Sequence, residues 1–271
     1  MTAVHLDLLH DEPVVARPRP VPVVLARQEG LRVVRHPVWL LGAAAHLWLL
    51  LALSDNGPRE AFEAVTSGVT WFVGVPTFFA AHLVATRDRR AHAGELLAPL
   101  PAPVPQRVLG QCLAALVPTA VAAAVVVLAH LALLADDRYL LAPGPWHLSH
   151  GPLTVLGAAL LGTAVARLSH VPGTALLVMT GLVLLTAWMN SRPQLHATAV
   201  YVDWARWSDY PRTWAGLHPG SPAWHTGSLL ALSGLAGAGA FLRGTGRTRT
   251  AVAAGAVLAA AAVACGLLTV P

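Results

Sequence analysis

Lysine is absent from this chain: all 18 basic residues are arginine. A nucleotide-phosphate loop of the GxxxxGK[ST] kind needs its lysine on the β- and γ-phosphates, so the chain has no such loop of its own. Charge of either sign is also scarce, at 11% of 271 residues, where a soluble globular domain carries about 25%. Too few charged groups remain to cover a water-facing surface of this size. Hydrophobic residues make up 55%, and a lipid bilayer is the alternative solvent. Acids are nearly missing from the apolar stretches, which argues against a carboxylate-based metal site or proton relay within them. The two cysteines, Cys112 and Cys265, lie in apolar stretches without metal-ligand spacing and read as buried free thiols. The net charge of +5 raises nucleic acid as a partner. The arginines, however, flank apolar runs and do not interleave with aromatics, which favours a membrane and no nucleic acid.

What is present is a series of apolar runs. Residues 1–22 have no continuous apolar core and carry Asp7, Asp11 and Glu12 among prolines, so they read as a flexible cytoplasmic tail and not a signal peptide. Over residues 23–36, Val24, Leu31 and Val34 can share one helical face, with Gln28, Arg32 and Arg35 on another. This predicts a short amphipathic helix in the headgroup layer, with Arg27, Glu29, Arg32 and Arg35 as its charged positions. The remainder, 37–270, reads as a transmembrane domain with spans at 37–54, 65–86, 108–135, 153–168, 173–189, 227–242 and 251–270. Pro76 is expected to bend the second span and Pro118 to kink the third. Ser169-His170-Val171-Pro172 is short enough to force the fourth and fifth spans into an antiparallel hairpin. Small residues at four-residue spacing (Ala158, Gly162, Ala166; Ser233, Gly237) suit close helix packing in lipid. The fold class is therefore all-α, a polytopic transmembrane helical bundle of six or seven spans.

Arginine placement sets the expected orientation. With the N-terminus inside the cell membrane, only Arg59, Arg138, Arg192, Arg206 and Arg212 of the 18 arginines fall outside, the distribution that the positive-inside rule describes. The segment Arg87–Arg107, RDRRAHAGELLAPLPAPVPQR, then lies on the cytoplasmic side. The long polar segment 190–226 lies on the other. Its Tyr201, Trp204, Trp207 and Trp214 suit an aromatic belt that caps the outer face.

Histidine is the residue type that can carry chemistry inside the spans. His46 falls near mid-bilayer, where a polar group is by default a functional candidate. His82 and His130 fall near opposite ends of their spans and are too far apart in depth to share a metal or haem. Ser67-Gly68 has no histidine at matching depth on this reading, which argues against an intramembrane serine protease. No catalytic or metal-binding set emerges, and the chain reads as not an enzyme.

Several features together resemble a known family. Arg32-Val33-Val34-Arg35-His36-Pro37 ends an amphipathic helix. Two spans follow, then a cytoplasmic loop with Gly94-Glu95-Leu96-Leu97 and Pro101, leading to Arg107 at the next span. Pro222-Ala223-Trp224-His225 opens a span that closes at Arg243. Over residues 23–245 this order is similar to the membrane (permease) subunit of a type-2 ATP-binding-cassette exporter, as found in actinobacteria. The resemblance implies a cytoplasmic ATP-binding partner subunit and a second permease subunit, identical or not. ATP would act through that partner, with no cofactor bound directly. It implies coupling to the ATPase through Glu95, Leu96 and Leu97, with Arg87, Arg89, Arg90 and Arg107 anchoring the loop. Positive-inside anchoring alone also accounts for each of these arginines. The family has six spans and an inside C-terminus, so a seventh span departs from it. A membrane-embedded enzyme using His46, or a non-transporting scaffold or sensor, is the alternative.

Overall fold

The computed structural model describes residues 21–53, 57–91, 103–139, 142–190, 221–245 and 249–269. Among them every regular element is helical. Prolines begin several of these helices, because the first turn has no use for the N–H they lack. Helix α1 (Val21–Val34) stops short of Pro37, and the chain bends by 61° into α2 (Pro37–Leu53). After α3 (Pro58–Val65), α4 runs over Ser67–Ala85 and is followed by the single turn α5 (Arg87–Arg90). Then come α6 (Val104–Leu113), α7 (Leu116–Ala135), α8 (Pro145–Leu168), α9 (Thr174–Asn190), α10 (Pro222–Thr245) and α11 (Arg249–Thr269).

Two expected kinks take specific forms. Within α4 the five residues Thr70–Gly74 form a π-helical turn just ahead of Pro76. Pro76 has no N–H for the carbonyl of Phe72, so the ladder slips by one residue there. At Pro118 the bend is displaced towards the N-terminus by about one turn. Ala115 and Val117 donate to the carbonyls of Cys112 and Ala114, three residues back, which tightens the chain between α6 and α7. Together α6 and α7 span 32 residues, about 48 Å at 1.5 Å per residue, and exceed a hydrocarbon core of about 30 Å.

Helix α8 is the axis of the bundle. Inside the protein lies 67% of its span, against 6% of α11. Its neighbours are α4, α7 and α10, and α10 in turn pairs with α11. The core where they meet is built of small side chains, among them Ala80, Ala81, Ala115, Ala122, Ala159, Val69, Val73 and Val155, with Trp39 and Leu160. The stripe Ala158, Gly162, Ala166 is buried. A Cβ on Gly162 would lie 2.3 Å from the Phe78 carbonyl oxygen, so α8 and α4 touch backbone to backbone.

The outer surface is as apolar as the core. Leu41, Leu51, Leu177 and Leu267 are each 69–76% exposed, and they come from three different helices, α2, α9 and α11. In water each such leucine would forgo on the order of 1.5–3 kcal/mol of burial; in lipid it forgoes nothing. Among the described residues five helical stretches, with α6–α7 taken as one, are long and apolar enough to cross a membrane, or six if the bent pair α1–α2 counts as one span, and α9 is a shorter apolar helix. The helices fit a multi-pass membrane protein.

Candidate functional site

A set of charged groups gathers where α1, α5 and the ends of α4, α6, α8 and α10 meet. Glu29 is buried on α1, yet its carboxylate accepts from Arg32 on its own helix and lies 3.5 Å from Arg87 on α5. Arg87 also donates to Asp88, at 3.0 Å. The helix α1 is thereby joined to the start of the polar segment that follows α4. It is pressed against the α6–α7 junction at Gly30, where a Cβ would meet Val117 Cγ2 at 2.4 Å and the Ala114 carbonyl at 2.9 Å. This changes the expected face of α1. Val24 is exposed, and the side packed into the protein is Ala26, Glu29, Gly30 and Val33. Close approach to α6 and α7 selects small residues at Ala26 and Gly30, and Val21, Val23 and Val24 are left exposed. Arg27, Arg32 and Arg35 are exposed.

The other arginines at this end close helix termini. Arg89 donates to the Ala166 carbonyl in the last turn of α8, at 3.1 Å, and Arg90 to the Leu83 carbonyl of α4. The first satisfies a carbonyl that has no further turn to bond, while the Leu83 carbonyl also accepts from the Thr86 hydroxyl, at 3.4 Å. Arg167 donates from Nε to Gln111 Oε1 on α6, at 3.2 Å. Between the ends of α4, α6, α8 and α10 lies a cavity of about 510 Å³, lined by Arg89, Arg107, Arg167, Arg243, His170, Asp88 and Gln111 with Ala85, Val104 and Ala166. Nearby, in the α1–α2 bend, His36 Nδ1 accepts from the Val38 N–H at 3.3 Å. Burial, and then the charge of Arg90, hold this imidazole below its ordinary pKa, which keeps it neutral and able to accept. Glu95, Leu96 and Leu97, and Tyr201, Trp204, Trp207 and Trp214, lie outside the described residues.

The histidines sit elsewhere. His46 on α2 is 2% exposed, and neither ring nitrogen has a hydrogen-bond partner among the described residues. It borders a cavity of about 40 Å³ whose other walls include Trp39, Val69, Val73 and Val121. The expectation that no histidine matches Ser67-Gly68 is corrected. The His46 Cε1 lies 3.5 Å from where a Gly68 Cβ would be, so α2 passes beside the start of α4 there. The two are not hydrogen-bonded: the Ser67 hydroxyl donates to the Glu63 carbonyl, at 3.2 Å. His82 packs beside Gly162, and His130 Nδ1 is 3.4 Å from the Tyr139 hydroxyl. The three histidines do not converge, and among the described residues no group of three His, Cys, Asp or Glu side chains is placed to hold a metal.

A different histidine set is brought together. The rings of His150 on α8 and His225 on α10 lie 5.3 Å apart, and His147 meets Phe62 edge-on at 5.7 Å. Thr70 and Thr154 hydroxyls bridge α4 to α8 at 2.9 Å, and Ser149 and Thr226 come within 3.4 Å. Sequence reasoning passed over this polar seam because it began the fourth and sixth spans at residues 153 and 227. The spacing of His147 and His150, one helical turn apart in PWHLSHGP, was the available signal.

An apolar environment makes the His46 nitrogens a cost. His46→Leu, similar in size, is expected to leave folding intact and raise stability by up to about 1–2 kcal/mol. Thermal unfolding in detergent measures it, and a clear drop in midpoint would mean the imidazole makes a bond it depends on. No protein-family model, no curated protein and no solved structure matches the chain.

Proposed function

We propose that the chain is the permease subunit of an ATP-binding-cassette exporter of the type-2 kind, paired with a second permease subunit and driven by a separate cytoplasmic ATPase. The N-terminus is cytoplasmic in this reading, by the arginine distribution, and the protein resides in the cell membrane. α1 is then the interfacial helix, and Arg87–Arg107 is the segment that meets the ATPase.

The observation that supports this reading best is the link between Glu29 and Arg87. A helix bent by 61° away from the first long apolar helix is joined through a buried carboxylate to the start of the polar segment. Force applied to that segment therefore reaches α1, and through Gly30 it reaches the junction of α6 and α7. Such a chain of rigid contacts is what a transporter needs to turn closure of a partner into rigid-body motion of its spans. The missing lysine fits the same division of labour, since nucleotide is then bound by another chain.

The test is co-purification. Tagged protein solubilised from its own cells should bring down an ATPase carrying a GxxxxGK[ST] loop. Glu95→Arg combined with Leu96→Asp should weaken that association and abolish export. If the double variant binds and exports as well as the parent, the coupling assignment fails.

A further inference from the structure

Four arginines and one carboxylate, Asp88, line the 510 Å³ cavity. Among the described residues, Arg89, Arg107, Arg167 and Arg243 form no ion pair, and Asp88, the one acid lining the cavity, is already bonded to Arg87. One carboxylate does not offset four like charges gathered around one space, which is unfavourable unless a further anion shares it. Two of the four are held in place. Arg89 is fixed by the Ala166 carbonyl and Arg167 by Gln111, and each guanidinium retains further N–H donors beyond those bonds. A volume of about 510 Å³ is within the range of small-molecule sites, about 300–1,000 Å³.

Depth narrows the ligand. Arg167 is the last residue but one of the α8 span, Arg243 ends the span of α10, and Arg107 lies in the first turn of α6. The cavity thus opens where the apolar helices stop, at the level of lipid headgroups. Its remaining wall is apolar, formed by Ala85, Val104 and Ala166. Guanidinium forks match phosphate oxygens two at a time. We propose that this cavity binds the phosphate of an anionic glycerophospholipid, with the apolar wall against the lipid's glycerol backbone. Basic pockets between transmembrane helices favour such headgroups for the same reason. The assignment needs only the membrane reading and stands apart from the exporter proposal.

The experiment uses the full chain in neutral detergent. Phosphatidylglycerol, phosphatidylcholine or inorganic phosphate is titrated while thermal unfolding is followed, and native mass spectrometry reads the lipid retained. Phosphatidylglycerol should raise the midpoint at about tenfold lower concentration than phosphatidylcholine, and should be the lipid retained. Arg107→Gln with Arg243→Gln should remove that preference. Arg243 is exposed and Arg107 only half-buried, so folding should survive. Arg249→Gln, an exposed arginine outside the cavity, should leave the preference intact. Arg107→Lys with Arg243→Lys, which keeps the charge and loses the forks, should bind more weakly than the parent. Equal response to the two lipids, or equal loss in the Arg249 variant, overturns the proposal. Stabilisation by inorganic phosphate without any lipid preference overturns the lipid as its source. Recovery of the ATPase in co-purification reads the exporter proposal separately.

Discussion

Gly162→Val is expected to prevent the bundle from assembling. A Cβ at that position would sit 2.3 Å from the Phe78 carbonyl oxygen and 3.2 Å from the His82 nitrogen. Both are backbone atoms of α4, so no side-chain rotation makes room and the two helices must separate. Overpacking costs about 1–3 kcal/mol where side chains can shift, and more where they cannot. The gain in helix propensity on replacing glycine is at most about 1 kcal/mol. The interface concerned is the one on which Phe78, Ala158 and Val165 are buried. Loss of monodispersity in size-exclusion chromatography, or a collapse of the unfolding midpoint, is the expected result. Gly255→Val on α11, where a Cβ meets open space, should behave like the parent. Similar behaviour of both variants would refute the close contact of α4 and α8.

Glu29→Lys is expected to release α1. The Glu29 side chain is 11% exposed, while Arg32 and Arg87 are 48% and 42% exposed. Solvent already screens the two guanidiniums, so losing the carboxylate alone, as in Glu29→Gln, should cost about 1 kcal/mol. A lysine there puts a third positive charge into the buried position and should cost about 3 kcal/mol, the lower end for a broken buried pair. The pairing itself is tested by the exchange Glu29→Arg with Arg87→Glu, which should recover part of the loss of the single changes. If the singles and the exchange have the same midpoint as the parent, the bond carries no energy. On the exporter reading Glu29→Lys should also uncouple export from ATP hydrolysis while the ATPase stays bound, because the loop keeps its own contact residues.

Helix positions were legible where composition alone decides them. Runs such as 37–54 and 251–270 have little choice but a helix in an apolar solvent, since every backbone N–H must be satisfied within the segment. α2 and α11 lie within a residue or two of those bounds. The helix starts at Pro145 and Pro222 were not found, because hydropathy drops across Trp-His-Leu-Ser-His and Trp-His-Thr while the backbone continues helical through them. Pro152 hid the first of these further. It lies inside α8, near enough to the start that one missing hydrogen bond does not end the helix.

The candidate site divides in the same way. Arginine at helix ends can be read from sequence, because it follows the boundary between apolar and polar chain. Which arginines meet cannot. Arg89 and Ala166 are 77 residues apart in sequence, and Arg167 and Gln111 are 56 apart. Such contacts arise only once α4, α6 and α8 are packed side by side.

By itself, then, the sequence determined the secondary structure: scarce charge suits lipid, and an apolar solvent requires internally bonded helices. Only the tertiary structure decided which helix is central, which face of α1 is buried, and that four arginines share one cavity. The physical reason is that hydropathy is nearly uniform around these helices. Apolar side chains face both lipid and core, and the choice of inner face falls to small residues such as Gly30 and Gly162, whose value appears only when a second backbone lies against them.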